Sequence, residues 1–234
     1  MILKKGRYPM LPQGCFPLLL FLLLLVLIPL FLAEVMLTAL SKLGLSSELS
    51  LFAAFGIFLD GLVNIPVQKI PNEQTVEDGS RAFFAMDRFF RKPPTQQHFT
   101  IIAINLGGCI IPCIIAIYQL ARIISHSSYA MIISFVAIAL NTFVCYRLAK
   151  PIPKVGIALP ALVPALIAAL SAIIFIPDFA PPIAFCAGVL GPLIGADLMH
   201  IQEIKHINTR VASIGGAGTF DGIVISGLLA TLLV

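Results

Sequence analysis

The sequence contains no tryptophan and few charged residues. Charged side chains make up 11% of its 234 residues, whereas hydrophobic residues make up 59% and the mean hydropathy is +1.02. This composition excludes an ordinary soluble globular domain. The five cysteines are spread over apolar segments and form neither a disulfide framework nor a zinc-binding pattern. We therefore expect no metal and no other cofactor.

Long apolar stretches dominate the chain instead. Charge-free stretches long enough to cross a hydrocarbon core of ~30 Å occupy residues 8–33, 93–121, 123–146 and 155–177. Three further stretches, residues 49–67, 181–201 and 215–234, each contain one acid. The pattern predicts an all-α fold, a polytopic transmembrane bundle of about seven helices that forms a single domain over residues 1–234.

Lysine and arginine predict the orientation of this bundle, because cytoplasmic loops are enriched in both. With seven crossings, thirteen of the fifteen basic residues fall on one side and only Lys42 and Arg122 on the other. This predicts a cytoplasmic N-terminus, an external C-terminus and a location in the cytoplasmic (inner) membrane. The net charge of +4 then reflects orientation, and we predict the lipid bilayer as a partner and no nucleic acid.

One long cytoplasmic loop is predicted over residues 68–98. Within it, residues 80–92 read SRAFFAMDRFFRK and place aromatic side chains on one helical face and basic side chains on the other. This pattern is typical of an interfacial amphipathic helix that lies among lipid headgroups.

Polar residues inside the apolar segments predict a functional site. They all lie near the predicted cytoplasmic face, and they are Asp60, Asn64, Asn105, Asn141, Asp197 and Asp221. Five of them, all except Asn64, are predicted to lie about one and a half helical turns inside their spans. Carboxylates and amides are costly in hydrocarbon, so such a layer indicates a functional site. The alternative role for Asn105 and Asn141 is hydrogen bonding between helices.

Prolines and glycines lie at the same predicted depth. Pro160 and Pro164 predict a kinked or partly unwound fifth helix, because proline removes a backbone donor. Glycines at positions 188, 191, 195, 215, 216, 218 and 222 predict close packing of the last two helices. The residues predicted to bind substrate or an ion are Asp60, Asn64, Asn105, Asn141, Pro160, Pro164, Gly195, Gly216, Gly218 and Thr219.

Asp197 and Asp221 are the predicted catalytic residues. Asp197 falls in the last turns of a predicted helix, where the helix dipole disfavours a negative charge, whereas Asp221 follows a helix start predicted at Thr219, where it is favoured. The pair could therefore work as a neutral acid and an ionised base. The alternatives are a helix cap at Asp221, an ion pair of Asp197 with the following loop, and a divalent metal shared with His200.

Four segments resemble a known family. They are NLGGCIIP at residues 105–112, AKPIPKVGIALPALVP at 149–164, GADL at 195–198 and GGAGTFDGI at 215–223. Together they resemble a bacterial and archaeal membrane family classed as domain of unknown function 1614, over residues 49–234. The resemblance implies a prokaryotic multipass membrane protein and implies no activity.

A second resemblance is to intramembrane aspartyl proteases of the presenilin and prepilin-peptidase type. These enzymes place one aspartate on one helix and a second in a Gly-x-Gly-Asp motif. Here GAG at residues 216–218 is separated from Asp221 by two residues, and Pro-Ala-Leu occurs at 160–162 and 164–166, ahead of both aspartates. The resemblance is therefore one of chemistry rather than homology.

Two functions follow as predictions. The first is a membrane-embedded aspartyl hydrolase that acts on a membrane peptide with Asp197 and Asp221. The second is a proton- or cation-coupled transporter in which the same acids, together with Asp60, bind the ion. A noncatalytic membrane scaffold is a third alternative, and it leaves the acids unexplained.

Overall fold

The computed structural model describes residues 15–60, 63–71, 99–152, 156–203, 211–216 and 222–234. These residues are mostly helical. The α-helices are α1 (Cys15–Lys42), α2 (Ser47–Asp60), α3 (Ile111–His126), α4 (Ser128–Leu148), α5 (Leu162–Phe175), α6 (Ala180–Pro192) and α7 (Gly222–Leu232). A π-helical turn, Leu106–Ile110, leads into α3, and a second, Leu193–Leu198, continues α6. A 3-10 turn, Pro177–Phe179, precedes α6.

The described part of the chain also contains two small sheets. Their strands are β1 (Asn64–Pro71), β2 (Phe99–Asn105), β3 (Lys150–Ile152), β4 (Gly156–Ala158) and β5 (Val211–Ile214). The larger sheet has the order β1-β2-β5, with β1 antiparallel and β5 parallel to β2. Strands β3 and β4 form an antiparallel pair. A mostly helical fold is thus confirmed, and the all-α prediction is wrong in leaving out these strands.

The strands were missed because hydropathy does not separate a short buried strand from part of a buried helix. Strand β2 reads FTIIAIN and lies within the predicted span 93–121, where its apolar residues are indistinguishable from those of a helix by hydropathy. The predicted loop 68–98 is also corrected at its start, since β1 extends to Pro71. The predicted interfacial helix, residues 80–92, lies outside the described residues.

Among the described residues, four helical segments are long and apolar enough to cross a membrane, and they are Phe16–Lys42, Leu106–His126, Ser128–Leu148 and Pro177–Leu198. The chain is therefore a helical membrane protein by the length and composition of these segments. Helices α2 and α5 have 14 residues each and α7 has 11. At 1.5 Å per residue they extend only ~21 Å and ~16 Å, less than the hydrocarbon thickness.

Helix α6 lies at the centre of the bundle and contacts α3, α4, α5 and α7. All of its residues from Pro182 to Val189 are buried. Close contact with α7 depends on glycines on both helices. A Cβ atom at Gly188 would lie 2.9 Å from the Ser226 carbonyl oxygen, and one at Gly227 would lie 2.4 Å from Val189 Cγ2. Small residues let backbones approach in this way in membrane bundles.

The C-terminal ends of α1, α3 and α7 lie together. Lys42 Nζ, at the end of α1, donates a hydrogen bond of 3.0 Å to the carbonyl of Leu232 in α7. Near the end of α3, Gln119 Nε2 donates to the Leu43 carbonyl at 3.0 Å, and Arg122 Nη1 donates to the same oxygen. Lys42 and Arg122 are the two basic residues predicted for the external side, and each binds a carbonyl freed at the end of a helix.

Candidate functional site

Polar side chains from all three strands of the larger sheet meet near the start of α3. Asn64 in β1 pairs with Asn105 in β2, and Asn105 Nδ2 donates to Asn64 Oδ1 at 3.2 Å. Ser213 in β5 donates to the same oxygen through its hydroxyl, at 2.5 Å. Each strand therefore contributes one hydrogen-bonding side chain to a single connected group.

Asn105 also caps the helical segment that follows it. Its backbone is extended, and its Oδ1 accepts a hydrogen bond of 2.6 Å from the amide of Gly108 in the π-helical turn. This is the N-cap arrangement, which satisfies an amide that has no partner within the helix. The prediction that Asn105 lies inside a helical span is therefore wrong, because β2 ends at this residue and the helical segment begins after it.

Asp197 lies in the π-helical turn that continues α6, and its side chain is half-buried. Its Oδ2 accepts a hydrogen bond of 3.0 Å from the amide of Gly215, the residue that follows β5. Gly215 and Gly216 have φ angles of +84° and +83°. These left-handed conformations favour glycine and turn the chain at the end of the strand.

Gly215 also lies directly against the start of α3. A Cβ atom at Gly108 would be 1.9 Å from the Gly215 carbonyl oxygen, and one at Gly215 would be 2.6 Å from Cys109 Cβ. The two backbones are thus in contact where β5 passes the π-helical turn. These contacts connect one set of residues, which we call the junction cluster: Asn64, Asn105, Gly108, Asp197, Ser213 and Gly215.

Asn141 lies outside the junction cluster. It is fully buried in α4, and its Nδ2 donates a hydrogen bond of 2.8 Å to the carbonyl of Ala187 in α6. A Cβ atom at Gly191 would lie 2.8 Å from the Asn141 Cβ, so the side chain fills the space left by that glycine. Asn141 therefore has the alternative role considered above, hydrogen bonding between helices.

Gly188 and Gly191 of α6 and Gly195 of the π-helical turn that follows it pack against two neighbouring helices. Gly188 faces α7, whereas Gly191 faces Asn141 of α4, and a Cβ atom at Gly195 would lie 2.2 Å from the carbonyl oxygen of Thr142, also in α4. The prediction that all three glycines pack against the last helix is therefore wrong for two of them. The reason is that α6 is enclosed on several sides, so one stripe of small residues contacts more than one helix.

The two prolines start α5 and do not kink it. Pro160 is exposed and precedes the helix, whereas Pro164 is buried in its first turn. The first amides of a helix have no partner within the helix, so proline is tolerated there. The predicted kink is therefore absent, because α5 begins at these prolines. Strands β3 and β4 precede it. A Cβ atom at Gly222 would lie 3.9 Å from Ala161 Cβ, which places the starts of α5 and α7 side by side.

Several predicted site residues cannot be added to this geometry. Asp221, Gly218 and Thr219 lie outside the described residues. Asp60 is the last residue of α2, and its side chain is outside the described part as well. The described site is thus built around one predicted catalytic acid, Asp197.

Ser213 and His200, both near the site, make contacts that the sequence did not predict. Ser213 was missed because β5 was not recognised as a strand. The Nδ1 atom of His200 lies 3.1 Å from the Gly195 carbonyl oxygen and 3.0 Å from that of Ala196. Its ring therefore caps the end of the second π-helical turn. Within the described part of the chain, no group of three His, Cys, Asp or Glu side chains could hold a metal ion.

The comparisons with known proteins give one match. A family model described as "Protein of unknown function (DUF1614)" matches residues 58–233, which include the whole junction cluster. No curated protein and no solved structure matches the chain.

Proposed function

The chain belongs to the DUF1614 family, and for this member we propose a membrane-embedded aspartyl hydrolase that uses the carboxyl groups of Asp197 and Asp221. The observation that carries the proposal is the hydrogen bond from the Gly215 amide to Asp197 Oδ2. A catalytic carboxyl must be held in one orientation by its surroundings, and a backbone amide on a packed turn provides such a support.

The surroundings of Asp197 suit a reactive acid. Its side chain is half-buried at the end of the most enclosed helix, so it is shielded from bulk water and still accessible. Intramembrane acids of this kind are functional by default. The helix dipole disfavours a charge at Asp197, near a C-terminal end, and favours one just before α7, where Asp221 stands in the sequence.

The proposed reaction divides the work between the two acids. The Asp221 carboxylate removes a proton from water, and the resulting hydroxyl adds to the carbonyl carbon of a peptide bond. The protonated Asp197 carboxyl, which holds its proton on the oxygen that does not accept from the Gly215 amide, then gives that proton to the nitrogen of the leaving amine as the carbon–nitrogen bond breaks. The two aspartates have exchanged protonation states at that point, and a proton exchange with solvent restores the starting state.

The larger sheet supports a peptide as the substrate. Strand β5 ends at the turn that contacts Asp197, and it pairs with one strand, β2, among those that the structure describes. Extended peptides bind by adding to the edge of a sheet. A peptide added beside β5 would lead its backbone toward the carboxyl of Asp197.

Asp197→Asn and Asp221→Asn test the proposal directly. Each purified variant is reconstituted in liposomes with a panel of transmembrane peptides, and cleavage products are measured by mass spectrometry. We expect each variant to lose at least about a hundredfold in rate, the range typical of a lost general acid or base. Asp178→Asn, a change at an exposed acid in the 3-10 turn before α6, is the matched control and retains cleavage. Equal processing by the wild type and both catalytic variants would contradict the proposal.

A proton- or cation-coupled transporter is the second candidate, and the junction cluster supports it. The amide and hydroxyl oxygens of Asn64, Asn105 and Ser213 meet near Asp197, although two carboxyls suffice for hydrolysis. Ion-coupling sites combine acids with such neutral oxygen ligands at broken helices. Liposomes containing the protein and a pH-sensitive dye measure this activity, and the absence of any acid-dependent flux would count against it.

We also infer seven membrane crossings with the N-terminus and the junction cluster on the cytoplasmic side, which places the protein in the cytoplasmic membrane. The meeting of the C-terminal ends of α1, α3 and α7 supports this arrangement, since the first, third and seventh crossings must run in the same direction. The basic residues support this orientation as well, because it leaves only Lys42 and Arg122 on the external side.

A further inference from the structure

A second candidate site lies at the opposite end of the bundle from the junction cluster. It is an open groove of about 420 Å³ between the end of α3 and the start of α6. The residues that line it are Tyr118, Ala121, Arg122, Ser125, His126 and Phe179. We call it the α3–α6 groove.

Arg122 gives the groove a positive charge. Its hydrogen bonds with other described residues use only Nη1, which donates to the carbonyl of Leu43 and, at 3.0 Å, to Gln119 Oε1. Both acceptors are neutral, and no described carboxylate forms an ion pair with Arg122. A half-buried guanidinium without an anionic partner is unfavourable, so the groove is suited to an anion from outside the chain.

The aromatic residues and α6 strengthen this preference. The guanidinium carbon of Arg122 lies 6.0 Å from the ring centres of both Tyr118 and Phe179, which hold it at the groove wall. His126 stacks on Phe179 with ring centres 4.3 Å apart. Phe179 is also the N-cap residue of α6, so the positive end of that helix dipole lies at the groove. Asp178 precedes Phe179 in the chain but does not line the groove.

Side chains must provide the hydrogen bonds to such an anion. The first turn of α6 contains Pro181 and Pro182, which have no amide hydrogen, and the Ala180 amide already donates to Pro177. Arg122 is the best donor, because its planar guanidinium matches the oxygen atoms of a phosphate group.

The outer face of α3 indicates where the rest of the ligand lies. Ile114, Tyr118, Ala121 and Ser125 follow one another at helical spacing, so the face of α3 that lines the groove extends toward the middle of the helix. Ile114 and Ile117 are 60% and 64% exposed in a helix long enough to span the bilayer. An acyl chain can cover this apolar face while the phosphate lies at Arg122.

We propose that the α3–α6 groove binds the phosphate group of a membrane phospholipid, with Arg122 as its main ligand and the exposed face of α3 as the surface for its acyl chain. This site is separate from the proposed catalytic residues and does not depend on them.

Native mass spectrometry of the full-length protein tests the proposal. The protein is released from nanodiscs that contain phosphatidylglycerol and phosphatidylcholine, and the retained phospholipid is counted. Arg122→Gln should lower retention about tenfold, the effect of losing a charge-assisted hydrogen bond. Ala121→Trp should have the same effect by filling the groove while Arg122 keeps its contacts. Lys42→Gln, which removes the other basic residue at this end, should leave retention unchanged.

A second experiment tests whether the groove binds a phospholipid or a free phosphate ion. Inorganic phosphate is titrated into lipid-free protein in a nonionic detergent. Weak or undetectable phosphate binding together with retained phospholipid supports the proposal. Saturable phosphate binding without retained phospholipid would overturn it, as would phospholipid retention that neither Arg122→Gln nor Ala121→Trp reduces. A loss of retention in Lys42→Gln equal to that in Arg122→Gln would also overturn it.

Discussion

The Gly215 amide donates a hydrogen bond of 3.0 Å to Asp197 Oδ2, and this contact joins the end of β5 to the end of α6. Gly215 makes the contact possible in two ways. Its φ of +84° turns the chain after the strand, and its missing side chain lets the turn pass against Cys109 and Gly108. The orientation of the proposed catalytic acid therefore depends on a glycine 18 residues further along the chain.

Gly215→Ala is expected to destabilise the protein and disturb Asp197. The new Cβ atom meets Cys109 Cβ at 2.6 Å, and the left-handed backbone is strained as well. Overpacking and backbone strain together predict a loss of about 3 kcal/mol in the free energy of unfolding. Unfolding in detergent, followed by circular dichroism, measures this loss.

Gly156→Ala is the matched control for this prediction. Gly156 also has a positive φ, +126°, but a Cβ atom there would have no neighbour within 4 Å. This variant therefore carries the backbone strain alone and should lose about 1 to 2 kcal/mol. If the two variants were equally stable, close packing at Gly215 would not be the reason for the glycine.

Substitutions at Asn105 should separate its two roles. Asn105→Asp keeps an acceptor for the Gly108 amide but places a second oxygen against Asn64 Oδ1, whereas Asn105→Ala removes both contacts. Loss of a cap costs about 1 kcal/mol, and the group left without a partner adds about 1 to 3 kcal/mol. We therefore expect Asn105→Ala to be the less stable of the two variants in thermal unfolding. The reverse order would mean that burying the new carboxylate against Asn64 Oδ1 costs more than the cap and the Asn64 contact contribute together.

The long helices were predictable because length and apolar composition alone identify a membrane-spanning helix. The strands were not, because their pairing is nonlocal. Strand β2 pairs with β1, about 35 residues earlier, and with β5, more than 100 residues later, and no pattern within FTIIAIN specifies either partner. The spans predicted to start at residues 93 and 155 therefore begin ahead of the helical segments, which start at residues 106 and 162.

The candidate site was predictable in part. Asn64, Asn105 and Asp197 were predictable as site residues because amides and carboxylates are costly to bury in apolar segments. The structure brings these residues into one cluster. The same criterion selected Asn141, which instead bonds between helices, because hydropathy does not show which way a polar side chain points. Gly215 was identified for helix packing, but its contact with Asp197 required knowledge of the β5 turn.

Asn141→Leu is expected to lower stability without affecting activity. The substitution keeps most of the side-chain volume facing Gly191 and removes the hydrogen bond to the Ala187 carbonyl. Hydrogen bonds between membrane helices contribute about 0.6 kcal/mol on average and at most about 2 kcal/mol. The free energy of unfolding should therefore fall by about 0.6 to 2 kcal/mol. Cleavage or flux per folded molecule should remain that of the wild type. A loss of activity without a loss of stability would show that Asn141 takes part in the function.

The proposed orientation of the bundle predicts which side of the membrane each turn faces. Ser46, in the exposed turn between α1 and α2, should face the exterior, and Lys150, in the exposed strand β3, should face the cytoplasm. We propose Ser46→Cys and Lys150→Cys, each with Cys15 replaced by serine. Three of the remaining cysteines are buried and the fourth is half-buried, so background labelling is low.

A membrane-impermeant maleimide applied to intact cells should then label the cysteine at position 46 and leave the one at position 150 unlabelled until the membrane is permeabilised. The physical reason is the distribution of charge, since thirteen basic residues would otherwise face the exterior. Labelling of position 150 alone in intact cells would reverse the orientation and place the junction cluster outside. Labelling of both positions in intact cells would place them on the same side of the membrane. An even number of crossings would then separate them, in place of the three that α2, α3 and α4 provide, and the count of seven would have to be abandoned.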